Sequence, residues 1–209
     1  MNISSEKMRT ASVKRETGET QIDVSVNIDG SGKVQVKSGF EFIDHLVTSI
    51  GKYSMIDIKI QSKSLDSISH HLIEDVGITL GQSLDKALGE RSGIRRFGYF
   101  AVPMDESLSC ASVDLVRRQY SKLNLRLKRK EIEGISEEDI EHFFRSLLEN
   151  LCACIHIRVE YGSNDHHKKE SAIKAYAVAL REAATIDQRT GIHSTKASLL
   201  YTTPSPRHA

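Results

Sequence analysis

The sequence predicts an α+β fold built by tandem duplication of a β-β-β-α-β-α half. Three observations predict it: strand-period runs gather ahead of helix-period runs, both halves show the same element order, and histidines fall at matching places in each. The halves run 1–91 and 92–200. Residues 201–209 form a tail that Pro204 and Pro206 mark as extended and mobile.

In the first half a strand is expected near Thr10 to Glu16. Thr20 to Ile28 alternates, with Ile22, Val24, Val26 and Ile28 on one face. Asp29-Gly30-Ser31-Gly32 reads as a turn, and the alternation resumes over Lys33 to Lys37, which predicts a hairpin. The turn's glycines do not read as a phosphate loop, because no helix pattern follows at the right place. Glu41 to Lys52 carries Phe42, Leu46 and Ile50 on one helical face, Met55 to Ile60 alternates as a strand, and His70 to Leu88 is a longer helix stopped by Gly89.

The second half repeats the order. Strands are expected at Arg96 to Val102, Leu108 to Val116 and Tyr120 to Lys128. A helix follows over Ser136 to Leu151, with Ser136 as N-cap and acidic residues in its first turn. Cys152 to Glu160 alternates as a strand, and His166 to Ala184 is the last long helix.

Composition narrows the function classes. The chain has 209 residues, and a net charge of +1 leaves no basic field for nucleic acid. No apolar run approaches the ~20 residues of a membrane span. Met1 to Met8 is short, polar and mixed in charge, unlike a signal or transit peptide. Three cysteines, Cys110, Cys152 and Cys154, suit a reducing compartment and a cytoplasmic protein. Cys152 and Cys154 read as small buried residues on one strand face and not as metal thiolates.

The histidines carry the chemistry. His45 lies on the first short helix, and His70-His71-Leu72-Ile73-Glu74 opens the first long one. His142 lies on the second short helix, and His166-His167-Lys168-Lys169-Glu170 opens the second long one. The separation of short-helix histidine from pair is 25 residues in one half and 24 in the other. His70 with Glu74, and His166 with Glu170, stand one helical turn apart on one face. His71 and His167 point about 100° away and need not serve the same ion. One such pair at a helix start is commonly solvated or capping; two, each followed by Glu at the same offset in matching repeats, point to metal. Imidazole with carboxylate suits Mn, Fe, Zn or Co, and the carboxylate favours a harder ion such as Mn.

These residues resemble the imidazoleglycerol-phosphate dehydratase family over about Arg9 to Leu199. The resemblance rests on Arg15 to Thr20, Phe42-Ile43-Asp44-His45, His70-His71 with Glu74-Asp75, and Gly93 to Gly98. It continues through Pro103-Met104-Asp105-Glu106, His142 to Ser146, Gly162 to His167 with Glu170, and Ser194-Thr195-Lys196. It implies two four-stranded sheets with four helices sandwiched between them, and twenty-four chains built from trimers. It further implies two Mn2+ per active site at subunit interfaces, other divalent transition metals being alternatives. The implied ligands are His45, His70, His71, Glu74, His142, His166, His167 and Glu170. Arg96, Arg118, Lys174, Ser194 and Lys196 match the positions that bind the phosphate of a phosphorylated imidazole substrate, and Glu19 matches the acid/base glutamate. The implied reaction dehydrates imidazole glycerol phosphate to imidazole acetol phosphate in histidine biosynthesis. Alternatives are a divergent metal-dependent lyase on a related phosphorylated substrate, or a metal-binding assembly protein without activity.

The chain departs from the family pattern at several places. Ser69 stands where Asp precedes the first histidine pair, which loosens support for the ligands. Tyr53 replaces a histidine, Ser49 a Gln, Arg117 the glycine beside the phosphate arginine, and Ala197 the glycine after Lys196.

Overall fold

The computed structural model describes residues 8–132 and 134–187. Ser194, Lys196, Ala197 and the 201–209 tail lie outside the described residues. The first half supplies β1 (Thr10–Glu16), β2 (Thr20–Asn27), β3 (Val34–Lys37), α1 (Glu41–Ser54), β4 (Asp57–Ser64) and α2 (Ser69–Leu88). The second supplies β5 (Phe97–Met104), β6 (Ser107–Asp114), β7 (Tyr120–Asn124), a small hairpin β8 (Glu131–Ile132) and β9 (Ile135–Ser136), α3 (Glu137–Asn150), β10 (Cys154–Tyr161) and α4 (Asp165–Ala184).

Both four-stranded sheets have one topology. The orders are β1-β2-β4-β3 and β5-β6-β10-β7, and in each the last-placed strand runs parallel to its neighbour. This corrects the expected hairpin at Asp29 to Gly32. β2 is already flanked by β1 and β4, so the chain passes beyond β4 and β3 pairs there in parallel. The turn is instead tied by the Asp57 carboxylate, which accepts from the N–H of Ser31 at 2.8 Å and of Lys33 at 2.9 Å. A turn closed by a carboxylate has no place for a phosphate.

Element ends also differ from the expected ones. Met55 adopts a left-handed φ of 63° and ends α1, so β4 starts only at Asp57. Cys152 also takes a left-handed φ, 50°, before β10, so the expected face shared by Cys152 and Cys154 does not form. β7 stops at Asn124 because the backbone beyond finds another partner: the N–H groups of Lys128 and Arg129 donate to Asp165 Oδ2 at 2.9 and 2.8 Å. The other Asp165 oxygen accepts from Lys168 Nζ at 2.8 Å, and this ion pair is buried. The repeat-equivalent of Lys168 is Leu72, also buried, so this one position carries a charge on α4 and an apolar side chain on α2.

Sequence explains the helix ends. The Ser136 hydroxyl accepts from Asp139 N–H at 3.0 Å, with Glu137, Glu138 and Asp139 placed against the positive end of the α3 dipole. Asn164 caps α4 through His166 N–H. Gly89 closes α2 at φ 57°, its N–H returning to Asp85 O.

The apolar faces of the helices meet between the sheets. α2 lies on β1, β2 and β4, and α4 on β5, β6 and β10. The helices then pack across the halves, α2 against α3 and α1 against α4. Leu80, Phe143, Leu147, Ile43 and Tyr176 are all essentially fully buried in this layer. Where α2 crosses α3 the backbones meet closely at two glycines on α2. A Cβ at Gly77 would meet Phe143 O at 2.8 Å, and one at Gly81 would meet Leu147 O at 2.5 Å. No helix among the described residues is long and apolar enough to cross a membrane.

Because the obstacle at Gly81 is backbone, α2 and α3 must separate to admit a methyl group. Gly81→Ala is therefore expected to destabilise the fold by about 1–3 kcal/mol in urea unfolding. An unchanged midpoint would show that the helices have slack at this crossing.

Candidate metal centre

Cross-packing of the helices sorts the histidines into two clusters, each drawn from both halves. His142 of α3 meets His70 of α2 with ring centroids 4.7 Å apart. His45 of α1 stacks on His166 of α4 with centroids 6.4 Å apart. Glu74 stands one turn beyond His70, and Glu170 one turn beyond His166. Glu170 is in contact, with Oε2 3.1 Å from His166 Nε2. Each pair of imidazoles thus has a carboxylate one helical turn along, in contact at Glu170 and placed by helix spacing at Glu74, a donor set suited to a borderline or moderately hard divalent ion. All four rings are at least partly exposed, and an ion could reach them from solvent.

The second histidine of each pair turns away from its cluster. His71 Nδ1 lies 2.6 Å from Asp66 Oδ2 and 3.5 Å from Glu19 Oε2. His167 Nδ1 lies 2.6 Å from Glu106 Oε2, and its Nε2 is 3.5 Å from Asp105. Glu19, Asp66 and His71 also bring three potential ligand atoms within 4.8 Å of one another. The eight sequence candidates are therefore not drawn into one closed site within a chain: four histidines form two ring pairs, each with a glutamate one helical turn along, and two histidines face outward.

The position of Glu19 corrects one expectation. Read from sequence, Glu19 precedes a strand and stands apart from both metal motifs. In the fold, the start of β2 lies beside the start of α2, and Glu19 is a neighbour of His71. Its repeat-equivalent is Glu106, which precedes β6 and serves His167 in the same way. The two have diverged. Glu106 accepts from His167, from Asn164 N–H at 2.8 Å and from Ser163 N–H at 3.1 Å, and these bonds hold its carboxyl well below the usual range. Glu19 has ceded His71 to Asp66 and keeps a side chain 53% exposed. Sequence reasoning missed Asp66 and Glu106 as histidine partners. The Asp105-Glu106 run ahead of a strand, matching Glu19 in the other half, was the available signal for the second.

The expected phosphate-binding residues separate into two places. Arg96 makes a two-pronged pair with Asp114, at 2.7 and 2.9 Å, over the Phe97 ring. Arg118 is exposed in the bend before β7, and Phe97, Asp114, Cys154 and Tyr120 form one row across the sheet. Lys174 stands at the other end of β5, its Nζ 3.5 Å from Met104 Sδ and 2.7 Å from Glu170 Oε1. Burial works against the Glu170 charge, but Lys174 outweighs it and keeps the carboxyl below its ordinary value. The Tyr53 ring, at the family's histidine position, lies 5.3 Å from the Lys174 ammonium. Arg117 is not loose in its loop: Nη2 donates to Gly89 O at 3.0 Å and so ties the loop to the end of α2. Ser49 is buried in the helix layer.

The carboxylates set how the outward histidines respond to acid. The Asp66 hydrogen bond raises the His71 pKa, and the Glu106 bond raises that of His167. An imidazole must be neutral to bind a metal, and an unperturbed one titrates near ~6.5. Raised values mean that protons begin to compete above that pH. Metal affinity is therefore expected to fall steeply from above pH ~6.5 downward, and Asp66→Asn to move the midpoint to lower pH. Calorimetric metal titrations between pH 8 and 5 check this; a flat profile would remove both histidines from the ligand set.

Known proteins place the chain. The sequence model of the family described as imidazoleglycerol-phosphate dehydratase matches residues 38–180. An imidazoleglycerol-phosphate dehydratase of Chlorobium phaeobacteroides is 45% identical over 191 residues, covering 91% of this chain and 95% of that protein. One from Phytophthora nicotianae is 44% identical over 92% of this chain, which spans 43% of that longer protein. The crystal structure of the Pyrococcus furiosus protein in complex with (S)-C348 superposes with a TM-score of 0.76 at 34% identity, covering 89% of this chain and 99% of that one. The two duplicated sheets, the four helices between them and these relatives agree, and the chain belongs to the imidazoleglycerol-phosphate dehydratase family.

Proposed function

We propose that this chain dehydrates imidazole glycerol phosphate to imidazole acetol phosphate in histidine biosynthesis, with two manganese ions held by the histidine clusters. The observation that carries this reading is the pairing of each short-helix histidine with the His-His-x-x-Glu helix of the other half. Two sets of imidazole and carboxylate donors are what a two-metal site requires. When bound, the ions supply Lewis-acid polarisation of the imidazole ring and a template for its pose.

The reaction sets the work left for the side chains. The hydroxyl on the carbon beside the ring leaves as water, a base takes the hydrogen from the next carbon, and the resulting enol becomes the ketone. That hydrogen has no neighbouring carbonyl to acidify it. Glu19 fits the base: it is exposed, beside His71, and not locked as Glu106 is. Arg96, Arg118 and Lys174 fit the phosphate grip, where charge-assisted bonds fix the substrate's register. Asp114 sets the plane of the Arg96 guanidinium before substrate arrives.

The same geometry supports an assembled site. Arg96 and Lys174 stand at opposite ends of β5, so one phosphate cannot meet both within a chain. His71 and His167 face outward from the two clusters, free to serve sites shared with another copy. Phe97, Tyr99 and Tyr120 leave aromatic surface exposed on sheet two, which suits burial against further copies. These features favour a homo-oligomer, with twenty-four subunits built from trimers as the family precedent. The composition and reduced cysteines favour the cytoplasm.

The test is incubation of Mn-loaded protein with imidazole glycerol phosphate, following the ketone product. Glu19→Gln is expected to keep metal content and particle size while cutting turnover by ~100-fold or more, since Asp66 still holds His71. Glu74→Gln is expected to lower metal content instead. Full turnover in Glu19→Gln would assign the proton transfer to another group, and absence of product from the loaded wild type would sink the activity.

A further inference from the structure

The two clusters are not equivalent. His70 Nδ1 lies 2.6 Å from Asp139 Oδ1, a carboxylate from the other half of the chain, and Asp139 is itself only 15% exposed. Its backbone is held in the first turn of α3 by the Ser136 hydroxyl. A carboxylate on Nδ1 fixes the imidazole tautomer, leaves Nε2 as the free ligand atom and raises its basicity. The Asp139 carboxylate also adds negative charge beside the His70 and His142 pair.

The other cluster has the opposite surroundings. The position on α1 equivalent to Asp139 is Phe42, which is buried and offers no acceptor. The ammonium of Lys169 lies 3.6 Å from that ring. Glu170, the carboxylate of this cluster, is bound by Lys174 at 2.7 Å. One cluster therefore carries an extra anion, whereas in the other the Glu170 carboxylate is shared with a lysine and a second lysine stands one turn away. A divalent cation feels both differences in the same direction. Nor does the second half restore the balance through Asp165, the counterpart of Ser69. That carboxylate holds the 128–129 backbone and Lys168, not a histidine.

We propose that Asp139 is a positioning residue for His70 and that the cluster of His70, Glu74 and His142 binds its divalent ion first and more tightly than the cluster of His45, His166 and Glu170. The proposal rests on the reading of these six residues as ligands. It makes the doubled site an ordered one: an occupied tight position and a second position whose carboxylate must leave Lys174 to accept an ion.

Titrating metal-free protein with Mn2+ alone, with free ion followed by its electron paramagnetic resonance signal, reads the two sites without any turnover. Two binding phases separated by about tenfold or more are expected. Asp139→Ala should weaken the first phase by about 10–100-fold and leave the second, while Asp139→Asn, which keeps an acceptor, should recover part of the loss. Glu138→Ala, exposed in the same helix turn, should change neither phase and controls for the charge at the helix start. Lys174→Met should tighten the second phase alone. A single phase of two equal ions in the wild type would overturn the ordering while leaving the ligand reading intact. Equal weakening of both phases in Asp139→Ala would overturn the positioning role. No Mn2+ binding at all would overturn the ligand reading itself.

Discussion

Everything at the candidate metal centre depends on helices packing across the duplication. α2 rests on α3 and α1 on α4, close enough at Gly77 and Gly81 that only hydrogen fits between helix and backbone. If each half packed its own two helices together, His45 would face His70, and each half would complete a cluster alone. The crossed arrangement means that neither cluster exists until both halves have folded against each other. The apolar layer of Leu80, Phe143, Leu147 and Tyr176 is thus also the scaffold that sets the distance between imidazoles.

Duplication supplied two similar frames, and local carboxylates then made them different. Asp66 relieves Glu19 of the hydrogen bond that its counterpart Glu106 still makes. Asp139 stands where the other half has Phe42. Each change leaves the helix pattern untouched, since these residues sit at element starts or in loops where packing restricts side chains least. The fold keeps its symmetry while the chemistry loses it.

The architecture was legible in sequence because its signals are periodic. Alternation at Ile22, Val24 and Val26, and helical spacing over Ile73, Val76, Leu80 and Leu84, report burial directly. Element ends were less legible. Met55 and Cys152 turn the chain through left-handed conformations that glycine would have advertised and these residues do not. The parallel placement of β3 could not be read at all, since strand period carries no information about which neighbour a strand will choose. At the site, the ligand candidates stood out by type and repeated spacing, but their partners did not. Glu106 and Asp139 reach histidines across 61 and 69 residues, contacts that only the tertiary fold makes, and Asp66 reaches His71 across 5 through a turn that carries no sequence period.

The buried Asp165 and Lys168 pair gives the start of α4 a weakness that the matching position at the start of α2 lacks. Burial pushes the Asp165 carboxyl up, but Lys168 and the N–H groups of Lys128 and Arg129 outweigh it and hold the value below normal. Its contribution is present above the unfolded pKa near ~3.9 and is lost as pH falls through the lower folded value. Protonation would leave Lys168 buried without its counter-charge and release the strap of backbone at 128–129. Leu72 at the matching place on α2 has nothing to titrate. Acid therefore undoes the start of α4 from within, by a route that the apolar side chain at the matching place on α2 does not offer.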